Sequence, residues 1–508
     1  MSTIIRRLNI GLAVVAALLL MTVIWSDSTD DVAAPGGLDA DELTTSSTTS
    51  TSTTTTTTTE PPYDGWVDPA SSGLPWGETV EGLLTFRGNP TRSFYGAGPV
   101  PSAPEVVWQF PEDGAMCSNS SVGSQVINWC GSGWTGQPAI FEREGRTWVA
   151  VGAYSRDVHF LDADDGSRLL PDFPTGDIIK GSVTIDPDGY PLLYTGSRDN
   201  LYRVVAFDGD VARELWALSA TDVSPTKWNN DWDGAGLVID DFLFIGGENS
   251  QFHIVKLNRG YDADGRVAVD PVLVFNTPGW DDELIGLVGG NVSIENSVAI
   301  SGNVVYFANS GGLIQGWDLE GLEDGTDPTR VFRYWAGDDI DASLVIDEEG
   351  MIYAGVEYER GNARSKEVGQ VIKLDPSKPD DPLVWGVDER PRLDSGIWAT
   401  PGLHRDLLIV PTDTGKVLGL DRDTGEERWT KQLFGPTWQS PVIVDDVWIQ
   451  GDCAGMLRGF DVSDTTIEPP LLWEVELPGC IESTPAVWDG RIVVGTRAGW
   501  IFALGDAG

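Results

Sequence analysis

The side chains with the most chemistry to offer are four cysteines, three histidines and a large excess of carboxylates, 78 Asp and Glu against 33 Lys and Arg. Spacing decides what they can do. Cys117, Cys130, Cys453 and Cys480 contain no C-x-x-C pair, so neither a zinc knuckle nor a dithiol redox motif is written here. His159, His253 and His404 stand far apart at non-equivalent positions, which leaves a metal trio or a histidine-activated nucleophile without support. No G-x-S-x-G elbow and no Walker loop occurs. Asp262-Ala-Asp264-Gly265 looks like part of a calcium loop. That loop would have to begin at Gly260 and end on Pro271, where a bidentate Glu is needed, so a turn is expected instead. These motifs assign no catalytic residue and no metal ligand.

The carboxylates act first through their sum. A formal charge of −45 repels phosphate backbones and anionic lipid surfaces, so nucleic acid is excluded as a partner, and a hydrated acidic surface favours solubility outside the cell.

What must position these groups is a repeat. The segment from Ser483 to Leu504 reads as three strands joined by tight turns, with Asp489-Gly490 and Ala498-Gly499 at the turns. The plan recurs upstream eight times in all. Aligned on the last apolar residue of each third strand, Asp162, Asp208, Asn258, Asp318, Asp375, Asp421, Asp461 and Gly505 fall in one column. A column at the close of each second strand holds Gly152, Gly196, Gly246, Ala308, Gly355, Pro411, Gly451 and Gly495, where a small residue lets the chain turn. A fourth strand follows, carrying Phe173, Trp216, Phe275, Phe332, Trp385, Trp429 or Trp473. The eighth copy lacks that strand, and residues 104–110 around Trp108 have the look of it. The expected architecture is all-β: an eight-bladed propeller of four-stranded antiparallel blades, the last blade closed by an amino-terminal strand.

The sixth copy, Asp421-Arg-Asp-Thr424-Gly425 followed by Trp429, resembles the motif of PQQ-like repeats, and the resemblance covers roughly residues 80–508. That family includes quinoprotein alcohol dehydrogenases, the propeller lipoprotein of the outer-membrane assembly machinery, and many members with no assigned activity. Its motif builds turns and blade packing and carries no chemistry of its own. In such a blade the first strand lies nearest the axis. The residues opening the first strands are then expected to line the channel mouth: Thr135, Lys180, Gly234, Glu295, Asp341, Trp398, Trp438 and Glu482. Such a ring could grip a polar ligand or a hard cation. No cofactor is expected. PQQ with calcium is the alternative the resemblance raises, with Glu295 and Asp341 as metal ligands, but the dehydrogenases carry two adjacent cysteines over the quinone and this sequence has none. A weaker alternative is carbohydrate stacking on Trp398 and Trp438.

The amino terminus sets the address. Arg6-Arg7 precede an apolar run over residues 8–25, close to the length that spans a bilayer, so residues 1–26 are read as a signal-anchor helix with the rest of the chain outside. Cleavage near Val32-Ala33-Ala34, giving a secreted protein, is the alternative. Residues 27–62, dominated by Thr and Ser, are expected to be a disordered stalk beneath a propeller over 63–508. An exported chain with an even number of cysteines implies two disulfides. Of three connectivities the sequence-local pairs Cys117–Cys130 and Cys453–Cys480 are favoured, because each closes a short loop. The expected function is a non-catalytic binding or scaffold protein of the cell envelope, engaging another envelope protein or a surface polymer.

Overall fold

The computed structural model describes residues 63–134 and 136–506. The proposed anchor and stalk, and Thr135 of the mouth ring, lie outside the described residues. Among those described, no helix is long and apolar enough to cross a membrane. The only α-helices among them are two short ones, Asp282–Val288 and Ala363–Val368.

Eight antiparallel blades follow one another along the chain. Their inner strands, blades 1 to 8, are Ala139–Arg143, Thr184–Ile185, Leu237–Ile239, Ala299–Ser301, Val345–Ile346, Gly402–His404, Val442–Val444 and Ala486–Trp488. Blade 8 has three consecutive strands, and its outer strand is Pro104–Phe110, paired antiparallel with Ile501–Asp506 so that Trp108 faces Ala503. The ring is therefore closed by the displaced strand, and no blade is left with an open inner seam. Trp108 also ties the closure to blade 1: its indole donates to the Ala163 carbonyl at 2.9 Å and lies over Gly166. Trp385 does the same from blade 5 to blade 6, donating to the Arg422 carbonyl and covering Gly425. In both cases the turn glycine of one blade, Gly166 or Gly425, is the floor on which the preceding blade's tryptophan rests.

Pairing corrects three details of the sequence columns. In blades 2 and 3 the residues at the aspartate column are Ala206 and Lys256, because Tyr202 and Phe252 pair with the column glycines Gly196 and Gly246; Asp208 and Asn258 lie two residues further on. In blade 1 the outer-strand position opposite Phe160 is Leu170, and Phe173 pairs with Val158. The glycine column has a different cause from the expected turn. A Cβ on Gly152, Gly246 or Gly355 would lie 2.3–2.4 Å from the Cγ2 of Ile179, Ile294 or Ile397, an isoleucine of the next blade. These glycines make room for the neighbouring blade. The aspartates at the column are structural, as expected: Asp162, Asp318, Asp375, Asp421 and Asp461 each accept from the amide two residues on, an Asx turn.

Candidate functional site

The site is built on the approach to each inner strand. The residues four positions before the inner strands are Thr135, Lys180, Asp233, Glu295, Asp341, Trp398, Trp438 and Glu482. In blade 3 the ring member is thus Asp233 rather than Gly234, a one-residue slip of the sequence alignment. Lys180, Glu295, Trp398, Trp438 and Glu482 are half-buried, as residues around a mouth should be, and Asp341 is buried.

Two positions further along the chain runs a belt that sequence reading missed. Ser182, Ser297, Ser343, Thr400 and Ser440 each accept, on the side-chain hydroxyl, the amide hydrogen of the same position one blade earlier. The distances are 2.9–3.0 Å for Gln137, Ala235, Ser297, Ser343 and Thr400 as donors. The belt satisfies amides that curved inner strands cannot pair, and links blade to blade around the axis. Its signal was present in the sequence as a Ser/Thr column two residues before the inner strands of six blades, with Gln137 and Ala235 in the other two.

One position further, the carbonyls of Gly236, Val298, Pro401, Pro441 and Pro485 accept from groups inside the ring. Gln137 supplies the donor for Pro485. Residues 82–97 supply the others, a segment sequence reading left unassigned. Gly82–Leu83 pairs with the inner strand of blade 1 and Gly96–Ala97 with that of blade 8. Between these ends the segment hydrogen-bonds to blades 2, 4 and 5 through the carbonyls of Leu84, Pro90 and Thr91. Arg87, fully buried, donates to Pro441 at 2.5 Å and to Pro401 at 2.6 Å; Arg92, also fully buried, donates to Val298 and Ala235. Neither arginine has a carboxylate partner among these bonds. Burial pulls both guanidinium groups down from the usual arginine range, Arg92 to about 9, while the carbonyl dipoles that converge on each favour the charged form. The central channel is therefore occupied by the protein's own chain, beneath the cup formed by the half-buried ring residues at the mouth.

The cup is acidic and its cations are already engaged. Lys180 pairs with Asp233 and stands 3.5 Å from Glu248, which reaches in from the end of the second strand of blade 3. Burial opposes the Lys180 charge, but Asp233, Glu248 and Glu295 outweigh it and hold the ammonium well above the usual lysine range. Glu248 is pushed well above the carboxylate range by burial and by Asp233. Arg198 pairs with Asp231, and Arg497 with Glu482 at 2.8 Å. Across the cup, the Trp134 indole of blade 1 reaches the Trp398 carbonyl of blade 6 at 3.4 Å. Two carboxylate trios could hold a cation, Asp233–Glu248–Glu295 and Asp339–Asp341–Glu357, each with oxygens within 4.8 Å of one another.

The two disulfides form as expected on this face: Cys117–Cys130 closes the hairpin before blade 1, and Cys453–Cys480 ties a turn of blade 7 to the approach of blade 8. The histidines stay apart. His159 bonds Asp172 and Ser155 in blade 1, His253 is sealed in blade 3, and His404 faces Asp446. Asp262 accepts from the amides of Asp264 and Arg266, which makes the segment a turn.

Residues 367–504 match the family model described as "Outer membrane protein assembly factor BamB". The chain is an eight-bladed propeller, and over residues 367–504 its repeats match that model of PQQ-like repeats. Among solved structures, the propeller is similar to the quinohemoprotein alcohol dehydrogenase ADHIIG of Pseudomonas putida HK5, at 11% identity and TM-score 0.55, over 84% of this chain and 81% of that one. The quinohemoprotein alcohol dehydrogenase of Comamonas testosteroni gives 13% identity, TM-score 0.55 and the same coverage. The computationally designed Ika8 protein gives 13% identity and TM-score 0.50, over 74% of this chain and 96% of that one. No curated protein sequence matches the propeller. Identities this low speak for the fold alone.

Proposed function

We propose that the protein is a non-catalytic binding propeller of the cell envelope, anchored by residues 1–26, which engages another envelope protein through the face at the channel mouth. One observation carries this reading. Val126, Trp228, Leu287, Leu393 and Phe434 are exposed apolar side chains, and all five lie on connections that lead from an outer strand to the next inner strand, so they share one face. Single exposed apolar residues mean little, but five around one acidic cup, with Phe434 84% exposed, match the apolar anchors and charged rim of a recognition surface. The acidity of the cup favours a partner with basic groups. The matching family model is described as an outer membrane protein assembly factor, which supports a partner in the cell envelope.

The connection before blade 3 divides its two tryptophans. Trp228 is exposed, whereas Trp232 is buried against Tyr202 and His253 and belongs to the core.

The oxidoreductase alternative draws on the two dehydrogenase neighbours and on the carboxylates of the cup. The residues present do not fit PQQ: the sequence has no adjacent cysteines, Trp134 spans the mouth, Lys180 is committed to Asp233 and Glu248, and residues 82–97 fill the channel. In-cell crosslinking of the intact protein, followed by mass spectrometry, tests the proposal. Crosslinks should map to the loops carrying Trp228, Leu287, Leu393 and Phe434 and disappear in a Trp228→Ser, Phe434→Ser double variant. Crosslinks confined to the outer strands would overturn it.

A further inference from the structure

We infer that Asp339, Asp341 and Glu357 form a binding site for one divalent cation of the calcium class at the rim of blade 5. The inference is independent of the partner-binding reading above. It begins with the backbone. Asp339 and Asp341 flank Ile340 on the approach to the inner strand of blade 5. Ile340 is fully buried, and its carbonyl accepts from Asn296 at 3.0 Å. The Glu357 amide donates to the Asp339 carbonyl at 2.8 Å, which draws the end of the second strand alongside. The three carboxylates are thereby brought to within 4.8 Å, oxygen to oxygen, with the residues only 1%, 3% and 0% exposed.

The neighbouring cation is committed elsewhere. Arg360 bonds Asp338 at 3.2 Å, and Asp338 also accepts from the amides of Asp339, Arg360 and Gly361; Arg360 stands 4.0 Å from Asp339. Asp341 is the decisive group. It is almost wholly buried, lies within 4.8 Å of the other two carboxylates, and its Oδ1 atom has no hydrogen-bond partner among the described residues. The Asp339 Oδ1 atom also lacks a donor. A buried carboxylate oxygen in that position calls for a proton or a cation.

The other acidic groupings do not share this condition. The Asp233 trio holds Lys180, and its Glu295 accepts from the hydroxyls of Ser293 and Ser310. Asp347, Glu348 and Glu349 gather around Arg422. An all-oxygen site with three carboxylates suits a hard cation, and oxygens bound to one calcium ion lie at most about 4.8 Å apart, twice the bond length. Calcium accepts the irregular geometry of such a trio more readily than magnesium, which demands a near-ideal octahedron. A bound cation would also brace the strand Glu357–Tyr358, which pairs with Ser395–Gly396 beside the exposed Leu393.

The test is calorimetric titration of the full-length protein, stripped with a chelator that is then removed, with calcium chloride and separately with magnesium chloride. Wild type is expected to bind one calcium per chain above a weak diffuse background, with magnesium at least about tenfold weaker. That site is expected to vanish in Asp341→Asn and in Glu357→Gln and to persist in Asp233→Asn. Calcium should raise the melting temperature of wild type but not of Asp341→Asn, which without calcium should melt no lower than wild type, because it loses a repelling charge. Indistinguishable titrations of wild type and Asp341→Asn would overturn the inference, as would a stoichiometric site that survives in Asp341→Asn and is lost in Asp233→Asn.

Discussion

Arg87→Met tests whether the segment inside the ring holds the propeller together. Arg87 joins two blades that its own strand does not reach, through 2.5 and 2.6 Å bonds to the carbonyls of Pro441 and Pro401. A hydrogen bond from a charged donor contributes about 1.5–3 kcal/mol, so losing both removes about 3–6 kcal/mol and leaves two buried carbonyls without donors. Methionine fills much of the volume and spares the desolvation of a guanidinium, which narrows the expected loss to about 3–5 kcal/mol. With an unfolding entropy of about 2.1 cal/mol/K per residue, a domain of this length has about 0.9 kcal/mol/K, and the melting temperature should fall by about 3–5 °C. The proper control is Lys378→Met, which breaks an exposed 2.7 Å pair with Asp375 and should shift melting by less than about 1 °C. Arg87→Lys should fall between, because one ammonium cannot span two carbonyls on different blades as a planar fork does. The readouts are differential scanning calorimetry and the rate of proteolysis near residues 82–97. If Arg87→Met melts with the Lys378→Met control and is cut no faster, the channel segment is a passenger rather than a tie.

Gly152→Ala puts a Cβ 2.3 Å from Ile179 Cγ2 and should destabilise by about 1–3 kcal/mol in denaturant titration; most of that penalty should vanish in an Ile179→Ala background, giving a non-additive double-mutant cycle. His253 is sealed beside the Trp232 ring, and burial pulls its imidazole down to about 4. The folded value lies below the unfolded one of about 6.5, so the unfolded chain binds more protons between them. This contribution is whole above pH 6.5 and is lost as pH falls towards 4, by about 3 kcal/mol, and His253→Gln should flatten that part of the stability profile. Non-reducing peptide mapping should return Cys117–Cys130 and Cys453–Cys480, and four alkylatable thiols would contradict both pairs. PQQ titrated with calcium, followed by its quinone absorbance, should show no stoichiometric uptake and no alcohol oxidation; tight uptake with turnover that Asp341→Asn abolishes would favour the oxidoreductase.

The blades were legible because each is specified locally. Two-residue alternation, turn glycines and a recurring aspartate after the third strand lie within about forty residues of one another, and a strand missing at one end of a repeat array has to be sought at the other. Where blades 2 and 3 depart from the motif, the columns slipped: Asp208 and Asn258 resemble the column residue but follow it by two, and only the pairing of Gly196 with Tyr202 and of Gly246 with Phe252 reveals this. Gly152 shows a second limit. Its identity was visible, but its reason, Ile179 of the next blade, is a contact between elements that periodicity within one blade does not describe.

The cup was less legible for the same physical reason, carried further. Its ring could be listed from the starts of the inner strands, but its charge state is decided by residues outside that column. Glu248 and Glu357 enter from the ends of second strands, and Lys180 is matched to Asp233 by adjacency of blades 2 and 3. Two carboxylate trios of the same ring therefore differ in kind: one closes around a lysine, and the other has an arginine drawn away to Asp338. Residues 82–97 are the extreme case. Their sequence repeats nothing, and Arg87 and Arg92 would be taken for surface cations by type alone, yet both are fully buried because the ring turns carbonyls of several inner strands towards the axis. A closed ring of inner strands creates a demand for donors at its centre that no single blade has, and only a segment foreign to the repeat can meet it.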